Sequence, residues 1–206
     1  YEGKGSNEGL ITYMRTDGLF VAPEALADVR AFVAGEFGDA HVPAKPRFYT
    51  RKAKNSQEAH EAIRPTSVAL LPSQLPAAVD PAARRLYALI WERAVASQMA
   101  DARFERATVG VADAEGALRL SGTARRRLFP GFLALREHAG VRGLLPAAAP
   151  SYPNQALLGA AEGSPCALQE AVLDQHFTQP PPRYNDGSLV KALEARGIGR
   201  PSPYAS

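Results

Sequence analysis

Cysteine is nearly absent from this chain, which holds only Cys166 among its 206 residues. A single cysteine excludes an internal disulfide and is typical of a reducing compartment, so we expect a cytoplasmic protein. Four scattered histidines and one cysteine also lack the spacing of a zinc site. We interpret Cys166 as a small core residue of a strand at 166–175 rather than as a nucleophile.

Long apolar runs are missing as well, and no stretch approaches the ~20 residues of a membrane-spanning helix. We therefore expect no membrane partner. The visible start shows no signal-peptide pattern. The excess of positive charge is small, at +3 with a pI near 9.1. Such a balance favours polyanionic partners without identifying one.

Two helices are predicted in the first hundred residues. One begins at Pro23 and stops at Gly38, because proline favours a first helical turn and glycine favours a helix end. The other begins at Asp80-Pro81 and runs to about Met99. Their apolar positions predict buried faces at Leu26, Val29, Val33 and Phe37, and on several sides of the second helix at Leu86, Leu89, Ile90, Trp91 and Val95. We assign Trp91 to core packing rather than to base stacking.

Strand patterns replace the helical ones from about residue 101. Alternating apolar residues at 107–111 and 118–120, separated by Glu115-Gly116, predict a hairpin. The three arginines at 125–127 mark either a solvated strand end or a phosphate contact. Further on we predict a loop at 145–153, the strand at 166–175, and a helix from about Gly187 to Arg196 with Leu189, Val190 and Leu193 turned inward. The chain as a whole is predicted to be α+β and multidomain.

The most informative segment is Gly9-Leu10-Ile11-Thr12-Tyr13-Met14-Arg15-Thr16-Asp17. In a strand, Tyr13 and Arg15 would lie on one face, which sets a phenol beside a guanidinium able to grip a phosphate with two hydrogen bonds. A phenol with a pKa of about 10 is a poor nucleophile at neutral pH unless it is activated. A nearby cation stabilises the charge that builds on phosphate oxygens during attack. A buried strand tyrosine beside a surface arginine is the alternative interpretation.

A second segment reads Asn55-Ser56-Gln57-Glu58-Ala59-His60-Glu61-Ala62-Ile63-Arg64-Pro65-Thr66. Together the two segments closely resemble the active-site region of the bacterial DNA topoisomerase I family, the type IA topoisomerases. The resemblance continues at 89–91 and 98–99, returns at 176–178, 180–181 and 188–202, and is weakest over about 102–165. Because these motifs are long, the resemblance is specific.

The resemblance implies a chemistry and a role for each matching residue. In this family a tyrosine attacks single-stranded DNA, forms a 5′-phosphotyrosine link and leaves a 3′-hydroxyl. Another strand then passes through the gap and the break is resealed, which relaxes negative supercoils. Tyr13 matches this nucleophile and Arg15 the arginine that places and neutralises the phosphate. His60 matches the family histidine near the active site, with Asp17 as the partner of its ring. Arg64 matches a motif arginine that either contacts DNA or supports the loop.

Basic residues elsewhere are candidates for DNA contacts. The loop at 41–54 has no acidic residue and contains Lys45, Arg47, Arg51, Lys52 and Lys54 together with Phe48 and Tyr49. Basic side chains with aromatic neighbours can hold a single-stranded backbone and stack bases, and a solvated loop is the alternative. The last region resembles part of the family's single-strand-binding groove, where Lys191 and Arg200 are candidate phosphate contacts.

The resemblance also implies a domain organisation. We assign 1–100 to a mainly helical tyrosine-bearing domain, 101–177 to a β-rich arch, and 178–206 to part of a single-strand DNA-binding domain. Family enzymes are several times longer, and their amino-terminal acidic domain supplies the Mg²⁺ ligands, a general-acid glutamate and a lysine. We therefore expect a monomeric fragment that is inactive alone and relies on Mg²⁺ bound outside this chain.

Two positions depart from the family pattern. Gly18 stands where many members have serine, and Pro203 stands where threonine is usual. Proline has no hydroxyl, so it cannot replace the DNA contact that such a threonine can make. Neither change touches the nucleophile.

Other protein classes fit the sequence less well. Tyrosine recombinases and type IB enzymes also use tyrosine, arginine and histidine, but there the tyrosine usually comes last. Here Tyr13 precedes His60, and the i, i+4 spacing of His60 and Arg64 differs from the recombinase i, i+3. A non-catalytic single-stranded DNA-binding or gate module is the second alternative, and it would bind DNA with strong salt dependence but without a covalent adduct. An unrelated structural protein would have to share two long motifs by chance.

Overall fold

A computed structural model describes residues 9–14, 18–49, 61–138, 140–145 and 152–198 of the protein. Three α-helices occur in these ranges: α1 (Pro23–Phe37), α2 (Pro81–Ser97) and α3 (Asp186–Ala195). A two-stranded sheet is formed by β1 (Arg103–Ala112) and β2 (Arg119–Phe129). Short 3₁₀ helices lie at Asp39–His41, Pro72–Gln74, Gly131–Glu137 and Gln155–Gly159. The mixed helix and sheet content agrees with the predicted class. None of the helices in the described ranges has the length and hydropathy needed to traverse a bilayer.

Helix α1 begins and ends where the sequence predicts. Pro23 occupies the first turn, and Gly38 follows the last one with a φ of 84°. A positive φ costs glycine little, so Gly38 can end the helix while its N–H donates to the Ala34 carbonyl at 3.0 Å. The predicted apolar stripe is confirmed: Leu26, Val29 and Val33 are buried, and Phe37 packs against the core.

Helix α2 is capped by Asp80, whose carboxylate accepts the N–H groups of Ala82 and Ala83 at 2.8 and 3.1 Å. These amides have no partner within the helix, so the cap stabilises its first turn. The expectation that α2 is buried on several sides is wrong. Leu86 and Leu89 are more than half exposed, because they lie on the helix face turned away from the core residues.

One hydrophobic core joins α1 and α2. It consists of Val29, Val33, Leu75, Val79, Tyr87, Trp91, Val95, Met99, Leu135 and Val141. Trp91 is fully buried, donates its Nε1–H to the Val68 carbonyl at 2.9 Å, and meets the Phe32 ring edge-on at 5.4 Å. The packing role predicted for Trp91 is therefore confirmed. Burial raises the pKa of Tyr87 to about 12, and its hydroxyl donates to the Leu70 carbonyl at 2.8 Å, so this phenol is held protonated.

The predicted hairpin is confirmed by the pairing of β1 with β2. Its turn contains Gly116 with a φ of 71°, and Ala107, Val109 and Val111 are half-buried between exposed neighbours. The arginines at 125–127 make contacts within the protein. Arg126 pairs with Glu105 at 2.5 Å, and Arg127 pairs with Glu137 at 3.3 Å.

The predicted strand at 166–175 is wrong. These residues have no regular structure and are exposed, Leu173 at 99%. A strand needs hydrogen-bond partners for its backbone, and among the described residues neither β1 nor β2 pairs with this segment. Cys166 is consequently an exposed free thiol rather than a core residue. The inward position predicted for Leu189 is also wrong, since it is exposed on α3 while Val190 and Leu193 are half-buried.

The chain divides into two compact units. One comprises Tyr1–Arg106 and Arg125–Pro153 and holds α1, α2 and the hydrophobic core. The other comprises Ala107–Ala124 and Asn154–Ser206 and holds the hairpin turn and α3. The three-domain division with boundaries after 100 and 177 stays a prediction. Most of the predicted loop at 145–153 lies outside the described residues.

Candidate active-site region

The two sequence motifs are adjacent in space. Ile11 and Pro65 form an antiparallel bridge. The backbone hydrogen bonds beside it run from Thr12 N–H to the Arg64 carbonyl at 2.9 Å and from Thr66 N–H to the Leu10 carbonyl at 3.1 Å. The first motif therefore begins as an extended segment laid along the second.

The Thr12 side chain adds a second connection at this point. Its Oγ1 donates to the Ala62 carbonyl at 2.7 Å and accepts the Arg64 N–H at 3.0 Å. A hydroxyl can donate one hydrogen bond and accept two, and the Thr12 hydroxyl uses both capacities to bind the backbone of Ala62 and Arg64. Because Thr12 immediately precedes Tyr13, these contacts fix the backbone that carries the phenol. Its place inside the first motif is the one sequence signal for this role of Thr12.

The chain returns to the same stretch after the tyrosine. Phe20 and Glu61 form a parallel bridge, and the Ala62 N–H donates to the Phe20 carbonyl at 2.7 Å. We call residues 13–19 the tyrosine loop, of which 15–17 lie outside the described residues. Both ends of the tyrosine loop are thus attached to the segment at 61–64.

Glu61 connects this segment to the start of α1. Its Oε1 accepts the Arg64 Nε–H at 2.7 Å and the Ala22 N–H at 2.9 Å. The Glu61 and Arg64 side chains are 26% and 18% exposed. Burial raises the pKa of Glu61, but the hydrogen bonds from Arg64 and Ala22 and the charge of Arg64 outweigh it, so the pKa is lowered from 4.5. The position at a helix N-terminus also favours a carboxylate.

Arg64 is held by protein groups on two sides. Besides Glu61, its guanidinium donates from Nη1 to the Pro65 carbonyl at 2.9 Å. These contacts correspond to the loop-supporting role that the resemblance allowed for this residue. A DNA contact by Arg64 stays a prediction.

The phenol of Tyr13 is 70% exposed. The alternative interpretation of a buried strand tyrosine is therefore wrong. An exposed phenol on an anchored backbone is accessible from solution. The other predicted catalytic residues, Arg15, Asp17 and His60, lie outside the described residues, so their roles stay predictions.

The candidate DNA contacts are only partly described. Lys191 is exposed on α3. Arg51, Lys52 and Arg200 lie outside the described residues, as does Pro203. Their DNA contacts stay predictions.

The described part of the loop at 41–54 is attached to the last residue of α2 and to residues just after it. The buried Gln98 amide accepts the Arg47 N–H and donates to the Arg47 carbonyl, each at 3.0 Å. The Tyr49 hydroxyl donates to the Ser97 carbonyl at 2.9 Å, and the Arg47 guanidinium pairs with Asp101 at 3.0 Å. Phe48 lies between these anchors with its ring exposed.

The described residues do not fit a metal site. Within those ranges no three histidine, cysteine, aspartate or glutamate side chains come together in a way that could hold an ion. Mg²⁺ requires several oxygen ligands in octahedral geometry.

The lowered pKa of Glu61 predicts an acid-dependent contribution to stability. A carboxyl group whose pKa is lower in the folded chain stabilises it at neutral pH and loses that effect as the pH falls through the folded value. The difference in unfolding free energy between wild type and Glu61→Gln should therefore shrink as the pH falls below 4.5. Urea unfolding followed by circular dichroism at several pH values measures this difference.

Arg64→Ala is the matched control for that measurement. It removes the guanidinium that hydrogen-bonds and attracts Glu61, so the acid dependence due to Glu61 should become smaller. A difference between wild type and Glu61→Gln that is the same at every pH would contradict the assignment.

Comparison with known proteins identifies the family. A family model described as DNA topoisomerase matches residues 1–206. The chain is 48% identical over 200 residues to DNA topoisomerase 1 of Zymomonas mobilis subsp. mobilis, covering 97% of this chain and 16% of the relative. It is 42% identical over 208 residues to DNA topoisomerase 1 of Helicobacter pylori, covering 100% of this chain and 26% of the relative.

A solved structure supports the same family. Full-length topoisomerase I from Thermotoga maritima aligns with 99% of this chain at a TM-score of 0.65 and 28% identity, which is 30% of that protein. The chain spans about a sixth to a quarter of the length of these two curated relatives. The predicted resemblance is thereby confirmed, and the chain belongs to the bacterial DNA topoisomerase I family, the type IA topoisomerases.

Proposed function

We propose that this chain is the part of a type IA DNA topoisomerase that carries the cleavage tyrosine, with Tyr13 as the nucleophile. The observation that supports this best is the exposed Tyr13 phenol on a backbone that Thr12 fastens to Arg64. Placement by a fixed scaffold is what a reaction between two large molecules needs, because the reacting atoms must be brought within about 3–3.5 Å. The enzyme would cut one DNA strand, pass another through the gap and reseal the cut.

The proposed step conserves bonds. The Tyr13 oxygen forms a bond to the phosphorus of a DNA phosphodiester, and the bond from phosphorus to the 3′-oxygen breaks. The phenol gives up its proton, and the departing 3′-oxygen takes up a proton to become a hydroxyl. One ester replaces another, so the reverse attack by the 3′-hydroxyl restores the DNA without an external energy source.

The remaining site residues are proposed from the family motifs. Arg15 would neutralise the phosphate, because a guanidinium stabilises charge on the non-bridging oxygens. His60, oriented by Asp17, would lie near the same phosphate. Single-stranded DNA would be held by basic side chains, for which the candidates are Arg51, Lys52, Arg64, Lys191 and Arg200.

The setting of the reaction is proposed on the same basis. We propose that the divalent metal of the family is Mg²⁺ and that its ligands lie outside the described residues. The substrate would be a single-stranded segment of negatively supercoiled DNA in the bacterial cytoplasm, acted on by a monomer. In this arrangement 1–100 bears the tyrosine, 101–177 forms the arch and 178–206 contributes to the DNA groove.

A second candidate function applies to the chain when it is separated from the rest of such an enzyme. It would then be a non-catalytic single-stranded DNA-binding or gate module. The exposed Phe48 ring on the anchored part of the loop at 41–54 supports such binding, because aromatic side chains can stack bases. Salt-dependent DNA binding without an adduct would be its signature.

A hybrid enzyme tests the proposed function. Residues 1–206 replace the matched 200-residue segment of the Zymomonas mobilis topoisomerase, and the unmodified relative is the positive control. Single-stranded DNA is labelled at either its 3′ or its 5′ end, and the reaction is stopped with denaturant. A 5′-phosphotyrosine link predicts labelled protein from 3′-labelled DNA alone. Labelled protein from 5′-labelled DNA alone would indicate recombinase-like chemistry instead.

A further inference from the structure

We infer that Glu61 is a positioning residue for the cleavage tyrosine, and that it acts through Arg64 and Thr12. This inference rests on the proposed role of Tyr13 as the nucleophile. The carboxylate of Glu61 contacts Arg64 and Ala22. Its effect would be to hold the base of the tyrosine loop in one conformation.

A single carboxylate oxygen of Glu61 accepts two hydrogen bonds. Glu61 Oε1 accepts hydrogen bonds from Arg64 Nε at 2.7 Å and from the Ala22 N–H at 2.9 Å. Ala22 precedes the first turn of α1, and Arg64 belongs to the second motif. One half-buried carboxylate therefore joins the segment that follows the tyrosine loop to the motif that is paired with the segment before the loop.

Arg64 is connected to Tyr13 through the neighbouring residue Thr12. The Arg64 main chain accepts the Thr12 N–H at 2.9 Å and donates its own N–H to Thr12 Oγ1 at 3.0 Å. Tyr13 is the next residue in the chain. A rotation of the Arg64 backbone would therefore be transmitted to the peptide that carries the phenol within one residue.

Replacement of Glu61 would release both Arg64 and Ala22 from the carboxylate. Hydrogen bonds to an ionised acceptor are roughly twice as strong as neutral ones, and removing one partner of a half-buried ion pair leaves the other without its counter-charge. Glu61→Ala removes both attachments at once. Glu61→Gln keeps an oxygen in the same place but removes the charge, so it should loosen the base of the loop less.

The test separates the rate of cleavage from the fraction of enzyme that is folded. Single-turnover cleavage of an end-labelled oligonucleotide by the hybrid enzyme gives a rate constant and an amplitude. We expect Glu61→Ala to lower the rate constant about 10- to 100-fold, because small misplacements of a reacting group cost rates of this order. The Kd for the same oligonucleotide should change by less than about threefold, because the lost contact is not made to DNA.

Three further comparisons identify the route of the effect. Glu92→Ala breaks a comparable ion pair, with Arg136 at 2.8 Å, outside the contacts of the tyrosine loop, and should leave the rate constant unchanged. If Glu61 acts through Arg64, the Glu61→Ala, Arg64→Ala double variant should be about as slow as the slower single variant. Glu61→Gln should lie between wild type and Glu61→Ala, and it carries the test if Glu61→Ala does not fold.

Three results would overturn the inference, and they are distinguishable. A reduced amplitude with an unchanged rate constant would make Glu61 a stability residue only. Losses that multiply in the double variant would show that Glu61 acts independently of Arg64. A wild-type hybrid that forms no Tyr13-dependent adduct would remove the proposed function itself, and the inference with it.

Discussion

Replacing Tyr13 with phenylalanine in the hybrid enzyme is expected to abolish DNA relaxation. The variant keeps the ring but removes the oxygen that would bond to phosphorus, and loss of a nucleophile commonly costs about 10⁴-fold or more in rate. Relaxation of a negatively supercoiled plasmid, resolved on an agarose gel over a dilution series, measures the loss. Binding of single-stranded DNA should be kept, because the hydroxyl contributes little to holding a polyanion.

Tyr184→Phe is the matched control for this experiment. Tyr184 is an exposed tyrosine outside the two motifs, and its replacement should leave relaxation within about twofold of wild type, as for most surface substitutions. A Tyr13→Phe variant that relaxes DNA within about tenfold of wild type would show that another group is the nucleophile.

Among the substitutions proposed here for this chain, Trp91→Ala is expected to lower the free energy of unfolding most. The indole is fully buried between the helices, with the Phe32 ring at 5.4 Å and a hydrogen bond to the Val68 carbonyl. Removing a buried tryptophan typically costs about 3–5 kcal/mol through lost burial and the cavity left behind. Urea unfolding should be followed by circular dichroism, because Trp91 is the single tryptophan of the chain and its loss abolishes the fluorescence signal.

Leu86→Ala on the same helix is the control for Trp91→Ala. Leu86 is more than half exposed, so its truncation should change the unfolding free energy by no more than about 0.5 kcal/mol. Trp91→Phe should fall between the two, because it keeps an aromatic ring but leaves the Val68 carbonyl without its donor. A loss below about 1 kcal/mol for Trp91→Ala would contradict the packing described for this core.

The helices and the hairpin were predictable because their signals are local. Pro23 and Gly38 define α1, Asp80 caps α2, and Gly116 supplies the positive φ of the hairpin turn. Each of these effects operates within a few residues of the chain. The boundaries read from the sequence therefore agree with the structure to within about two residues.

Burial was predicted less well, because it depends on residues distant in the chain. Leu86 and Leu189 have the hydrophobicity of core residues but lie on helix faces that no described element covers. The segment at 166–175 contains two short apolar runs, yet its backbone lacks a described partner strand. Hydrophobic pattern alone does not say which faces will be covered.

The site was predictable in its residues but not in its connections. The motifs identified Tyr13 and Arg64 through resemblance, whereas nothing in either motif indicates that Thr12 joins the two segments or that Glu61 joins the second one to Ala22. The Thr12 contact links positions 50 residues apart, and the Ala22 contact links positions 39 residues apart. Local rules for helices and strands carry no information on such pairings, so the sequence does not indicate the contacts of Glu61.

Identification of the residue that becomes attached to DNA tests the central claim most directly. The covalent adduct from the wild-type hybrid is digested with nuclease and trypsin, and the modified peptide is sequenced by mass spectrometry. Cleavage after Lys4 and Arg15 gives a peptide in which Tyr13 is the single tyrosine. We predict a nucleotide remnant on Tyr13 in this peptide. A remnant on any other residue, such as Tyr49 or Tyr184, would contradict the assignment of Tyr13 as the cleavage nucleophile.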